Sequence, residues 1–141
     1  MAEPLGYYLT HIHTGLERNF AALLADRGLA RRSWQILNTL AARPLDPSSL
    51  DRALAHFLGD AEPTLEPHLA QLGAHGWVRT DAAGRYTLTE SGTTEHRTLA
   101  ARIDAERAAV TDGLGEEGYA TLIALLQRVS DNVDTIAATR H

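Results

Sequence analysis

A short hairpin signal between helical patterns constrains this chain more than any other feature. Val78–Thr80 and Arg85–Leu88 favour extended backbone. Asp81-Ala-Ala-Gly84 between them is turn material, with Gly84 able to take positive φ. Thr89 is placed to cap a helix beginning near Glu90. Nearly everything else has a helical apolar repeat. The pattern therefore predicts one small two-stranded hairpin set in a mainly α-helical chain.

The helices can be placed from their stripes and their ends. Leu5, Leu9, Ile12, Leu16, Phe20 and Leu23/Leu24 recur at three- and four-residue steps, giving a helix from Pro4 to about Asp26 that Gly28 stops. Arg31–Ala42 forms a second helix, with Trp34, Leu37, Leu40 and Ala41 inward. Asp46 reads as an N-cap and Pro47 as the first residue of a third helix, to about Leu58, that buries Leu50, Leu54 and Phe57 or Leu58. A fourth runs from a turn at Gly59-Asp60 to His75, with Leu65, Leu69 and Leu72 inward, and Gly76 ends it. A fifth spans about Glu90–Leu114 on a thin apolar face: Leu99, Ala100, Ile103 and Val110. The sixth, Glu116–Ala138, aligns Leu122, Ile123, Leu126, Val129, Val133 and Ile136. The first and last helices are about 22 residues long, or roughly 33 Å. That exceeds what the middle of the chain can cover, so their stripes call for a two-fold dimer with interlocked terminal helices.

Composition removes several classes of function. The 141 residues include no cysteine, which excludes disulfides and cysteine-ligated metal centres. No apolar run approaches the roughly 20 residues of a membrane span. The N-terminus has no basic n-region, so a cytoplasmic protein is expected. Net charge is −5, which withholds the support that a basic balance would lend to nucleic-acid binding, although a local patch can suffice. Gly-x-Ser-x-Gly, phosphate-cradling and His-Glu-x-x-His motifs are absent, so no catalytic residue and no cofactor is expected. His11 and His13 point about 200° apart on a helix and cannot share an ion, which argues against a metal site.

The order helix, helix, helix–turn–helix, hairpin, two long helices resembles the MarR family of transcriptional regulators. Four segments carry the resemblance: Leu5-Gly-Tyr-Tyr-Leu9, Asp26–Leu40, Leu72-Gly-Ala-His-Gly-Trp-Val78 and Leu88-Thr-Glu-Ser-Gly92. It covers almost the whole chain and looks most like an actinobacterial branch. It implies a winged helix-turn-helix lobe over residues 30–92, with residues 1–29 and 93–141 supplying long dimerisation helices. It further implies a homodimer that binds double-stranded DNA as a pseudo-palindromic operator. The fourth helix, about Glu62–His75, would enter the major groove, and the wing tip, Asp81–Arg85, would follow the backbone. A small aromatic or apolar effector would bind between dimerisation helices and lobe and release the DNA, usually from a repressor.

The residues of the reader element depart from that pattern. Asp60-Ala-Glu-Pro-Thr-Leu-Glu-Pro-His-Leu-Ala-Gln-Leu72 contains no arginine, and Glu62 and Glu66 oppose phosphate binding. Pro67 either deletes a helical hydrogen bond or forces a short 3₁₀ entry. Across residues 31–92 six basic side chains face seven acidic ones. The expected DNA contacts are Thr64, His68 and Gln71 in the groove and Arg31, Arg32, Arg52, Arg79 and Arg85 on the wing and phosphates. The alternative is a scaffold with weak or lost DNA binding, serving as a small-molecule-binding protein or enzyme. For the effector, Tyr7, Tyr8 and His11 of the first helix with Trp34 and Asn38 of the second are the candidate pocket; dimer-core packing is the competing role for each. His75 suits a helix C-terminus, and Trp77 suits a core anchor of the wing.

Overall fold

The structure, a computed structural model, describes residues 3–57 and 64–140, the side chain of His56 excepted. Leu58, the Gly59-Asp60 turn, Glu62 and Pro63 lie outside the described residues. Among the described residues six α-helices and one hairpin follow in order: α1 (Leu5–Ala25), α2 (Arg31–Ala42), α3 (Pro47–Leu54), α4 (Glu66–Ala74), β1 (Val78–Thr80), β2 (Tyr86–Leu88), α5 (Glu90–Val110) and α6 (Gly115–Thr139). This is the mainly α architecture with a hairpin wing that the sequence predicts. Packing divides the chain into two units, one up to Ile103 and one from Asp104.

The core of the first unit is built from leucine and isoleucine. Leu24, Ile36, Leu37, Leu50, Leu65, Leu72 and Leu99 are all buried below 2 % exposure. On α2 the inward face is Ser33, Ile36, Leu37 and Leu40, the i, i+3, i+4, i+7 set of a helix packed against α3 and α4. The sequence reading centred this face one step away. Trp34 is only half-buried and Ala41 is exposed, because Ile36 and Ser33 occupy the middle of the contact. The Ser33 hydroxyl is fully buried and has no hydrogen-bond partner among the described residues.

Prolines set the segment between α2 and α3. Arg43 precedes Pro44 and Asp46 precedes Pro47, and both adopt extended backbone (φ −173°, ψ 157° and φ −70°, ψ 164°), as a residue before proline prefers. The extended stretch lets Leu45 pair with Tyr86 of β2 through two backbone hydrogen bonds, 3.1 and 2.7 Å. The Asp46 carboxylate accepts from the Ser49 N–H at 2.8 Å. Chiefly that backbone bond holds Asp46 below the ordinary carboxylate range. α3 stops at Leu54 and a single 3₁₀ turn, Ala55–Phe57, follows. Of the two residues offered as the last inward position, Phe57 is 47 % exposed, because the α-helical repeat that would have carried it to the core ends three residues earlier, and Leu58 lies outside the described residues.

Pro67 finds a simple accommodation. Within the described residues α4 begins at Glu66, so Pro67 lies in its first turn, where no intrahelical N–H is needed. The helix is thus shorter than the expected Glu62–His75. Beyond Gly76 (φ +78°) the chain enters the hairpin, registered Val78↔Leu88, Arg79↔Thr87 and Thr80↔Tyr86. Arg85, expected in the second strand, belongs to the turn, where its N–H donates to the Asp81 carboxylate at 2.9 Å.

Thr89 caps α5 as its sequence suggests: its hydroxyl accepts from the Gly92 N–H at 3.0 Å and donates to the Gly76 carbonyl at 2.6 Å. Gly92 is required by contact. A Cβ there would stand 2.0 Å from the Trp77 carbonyl oxygen, so only glycine lets the wing entrance lie against α5. Arg27, in the turn after α1, donates through Nε and Nη2 to Glu95 of α5, both at 2.6 Å. That hydrogen bond and the Glu95 charge raise the Arg27 pKa. α5 ends at Val110 rather than Leu114, since the chain turns at Thr111 and takes positive φ at Gly113 and Gly115.

The terminal helices hold the exposed apolar surface. Leu23 and Leu24 bury the end of α1, yet Leu5, Leu9, Ile12 and Leu16 are 43–52 % exposed. α6 has no buried residue at all, and Leu122, Ile123, Val133 and Ile136 of its stripe are exposed.

Candidate nucleic-acid interface

The residues expected to meet DNA lie on α2, α3, α4 and the hairpin, and many are already engaged. Arg31, at the start of α2, pairs with Glu17 of α1 at 2.6 Å, and its guanidinium carbon sits 4.9 Å from the Phe20 ring centroid. Arg32 donates to the Phe57 carbonyl at 2.7 Å, tying α2 to the end of α3. Arg52 donates to the Ser49 hydroxyl at 3.2 Å. Thr64 accepts from the Glu66 N–H at 3.2 Å and so serves the start of α4. Gln71 reaches back to the Gly28 carbonyl at 3.4 Å. His68 is half-buried on α4. The described part of α4 carries no basic side chain but His68, and exposes Glu66 in its first turn, where the helix dipole favours a carboxylate.

The wing tip is closed on itself. The Asp81 carboxylate accepts from the N–H groups of Ala83 and Arg85 and from Nε of Arg85 at 3.0 Å. The Arg85 backbone bond, first among these, holds Asp81 below the usual carboxylate range. Arg85 therefore presents a charge already half-answered. Arg79 differs: it is exposed on β1 and makes no ion pair among the described residues. It is the wing cation most available to an external phosphate.

The candidate effector pocket separates into two clusters. On α1, Tyr7 stacks on His11 (centroids 5.5 Å apart, 11° between planes) and meets Tyr8 edge-on; both tyrosines are exposed. On α2, Trp34 stacks on His96 of α5 (5.2 Å, 7°), and the His96 ring shares a 2.9 Å hydrogen bond with the Asn38 side-chain oxygen. No ring contact or hydrogen bond joins the clusters among the described residues. Sequence reasoning missed His96. Only the fold brings residue 96 against residues 34 and 38, and burial there lowers its pKa. His75 follows α4, and its ring stacks on Trp77 at 4.4 Å, which positions the half-buried indole against the core. Among the described residues no cluster of histidine and carboxylate side chains is arranged to hold a metal, and no helix is long and apolar enough to cross a membrane.

No protein-family profile and no curated protein sequence matches the chain. Solved structures do. MepR of Staphylococcus aureus, a transcription regulator of the multidrug efflux pump MepA, superposes with a TM-score of 0.74 at 19 % identity, over 93 % of this chain and 99 % of that one. The MarR family protein Rv2887 of Mycobacterium tuberculosis gives 0.68 at 26 %, over 90 % and 94 %. NadR in complex with 4-hydroxyphenylacetate gives 0.64 at 21 %, over 94 % and 99 %.

Proposed function

From a chain with the MarR-family winged helix-turn-helix fold, we propose a ligand-responsive, DNA-binding transcription regulator acting as a homodimer in the cytoplasm. The observation that carries this reading is likeness to MepR, a transcription regulator, over 93 % of the chain. Residues 30–92 form the reader lobe; residues 1–29 and 93–141 form the dimer. The exposed stripes of α1 and α6 support that division, since apolar residues at helical spacing want a partner surface. In the dimer, α4 offers His68 and Gln71, and the segment before it Thr64, to a major groove, and Arg31, Arg32, Arg52, Arg79 and Arg85 serve the backbone. The effector is a small aromatic or apolar molecule, in keeping with the phenolic ligand of NadR. Tyr7, Tyr8 and His11 of one subunit and Trp34 and Asn38 form its walls once the dimer closes.

A second reading has specific support. α4 lacks arginine, Glu66 faces outward, and Arg31 and Arg85 spend their charge on Glu17 and Asp81. Each internal pair must be broken or shared before a phosphate gains from it. In that reading the scaffold binds a small molecule without DNA. One measurement separates the two: binding to fragments of its own promoter region across a salt series. A regulator loses affinity linearly in log salt, by about 0.9 for each phosphate neutralised. Arg79→Ala lowers that slope by about 1 and weakens all sequences alike. Absence of any salt-dependent binding on these duplexes selects the second reading.

A further inference from the structure

The exit of α1 is fastened to α5 by an ion pair that its surroundings do not require. The buried face of α5 is Gly92, Glu95, Leu99 and Ile103, steps of three and four that put one side of the helix against the core. Glu95 is the charged member of that set, and its side chain is 8 % exposed. Arg27 takes both of its carboxylate oxygens: Nε donates to Oε1 and Nη2 to Oε2, each at 2.6 Å. A leucine at this position would continue the face without a charge to desolvate, and a buried ion pair often gains nothing over well-packed apolar side chains. What the pair adds is geometry, since a forked guanidinium meets a carboxylate in one plane and one orientation.

The two partners stand at a junction. Arg27 lies in the turn after α1, one residue before Gly28, whose φ of +72° redirects the chain toward α2. The Gly28 and Leu29 N–H groups close that turn on the Ala25 and Leu24 carbonyls at 2.9 and 3.0 Å. Glu95 lies one turn beyond Gly92, and Gly92 abuts the Trp77 carbonyl at the entrance of the wing. The pair thus runs from the exit of α1 to the part of α5 that holds the hairpin. A second pair nearby, Arg102 to Asp26 at 3.3 Å, is exposed on both sides and weak by comparison. We propose that Arg27 and Glu95 are positioning residues whose forked pair fixes the angle between α1 and the wing. In the homodimer proposed above, on which this consequence rests, a fixed angle in each subunit sets the separation of the two wings. It thereby sets the half-site spacing that a duplex must present.

The chain has no cysteine, so spin labels can be attached at chosen positions only. Thr14 on α1 and Ala82 at the wing tip are both exposed. Thr14→Cys with Ala82→Cys, refolded with a large excess of unlabelled chain, reads the α1-to-wing distance within one chain by double electron–electron resonance. The parent should show one narrow distance. Arg27→Gln and Glu95→Gln should each replace it with a broad or two-peaked distribution. Where a single variant fails to fold, the double variant Arg27→Leu/Glu95→Leu leaves no buried charge behind. It should keep or raise the parent Tm and still lose the narrow distance. A merely stabilising pair would move Tm and not the distance. Ala82→Cys alone, undiluted, reads wing to wing and should broaden in the same variants. A narrow, unshifted α1-to-wing distance in the double variant overturns the proposal, as does a broad one in the parent. With the α1-to-wing result as expected, absence of any wing-to-wing distance supports the clasp and counts against the dimer reading instead.

Discussion

α2 and α6 carry the same kind of sequence pattern and meet opposite fates. Both repeat apolar side chains at three- and four-residue steps. α2 buries Ile36 and Leu37 completely, whereas nothing on the 25-residue α6 is buried. An apolar stripe states that a helix needs a partner; it does not state whose. For α2 the partners are α3 and α4, close in sequence and reachable within one lobe. For α6 the proposed partner is a second copy, and the stability of this surface should then depend on concentration while that of the lobe does not.

The largest effect tests the buried side. Leu37→Ala removes a fully buried side chain from between α2 and its neighbours and should cost about 2–5 kcal/mol. The loss, read from denaturant unfolding, should include a component present at every protein concentration. A cost below about 1 kcal/mol would mean that the lobe can collapse around the gap, and α2 would then be no better packed than α6.

The next effect tests the exposed side. Ile123→Asp places a charge on the α6 stripe, where wild-type Ile123 is 45 % exposed in the single chain. Burying an isoleucine is worth about 1.5–3 kcal/mol per site, and a two-fold interface loses it twice. Sedimentation should show a dimer for the parent and a monomer for the variant at micromolar concentration, with the concentration dependence of Tm lost. An unchanged sedimenting mass would remove α6 from the interface and leave its stripe without an explanation.

The same contrast decides what the sequence could reveal. The boundaries of α2 and β1 and the Asp46 and Thr89 caps were legible because each depends on a few neighbouring residues. Gly92 was recognisable as part of the wing exit, but not as the point where a Cβ would strike the Trp77 carbonyl. Pro67 looked like a flaw until the start of α4 moved to Glu66. The site was harder. Basic side chains can be counted along a chain, yet whether each is spent internally is a three-dimensional fact. The sequence offers Arg85 and Arg31 as phosphate ligands, and the fold sets Asp81 and Glu17 beside them. His96 carries no sequence signal of its own, because residues 34, 38 and 96 meet only after α5 folds onto α2.

Between the buried stripe of α2 and the bare one of α6 lies a half-covered surface, the outer face of α2, and it gives the smallest effect. There His96 stacks on Trp34 and shares a hydrogen bond with Asn38. Burial pushes its pKa below the ordinary 6.5. Protonation is therefore easier in the unfolded chain. The folded state keeps its full stability above about pH 6.5 and loses it as pH falls through and below that value. Much of the ring remains in reach of solvent, so screening keeps the effect below about 1 kcal/mol. Asp46 and Asp81, with carboxyls held below 3.8, act only in more acidic solution. Between pH 7 and 5, the Tm of the parent should consequently fall further than that of His96→Gln, which keeps a polar group for Asn38 but cannot titrate. Parallel curves would show that this face is as open to water as α6.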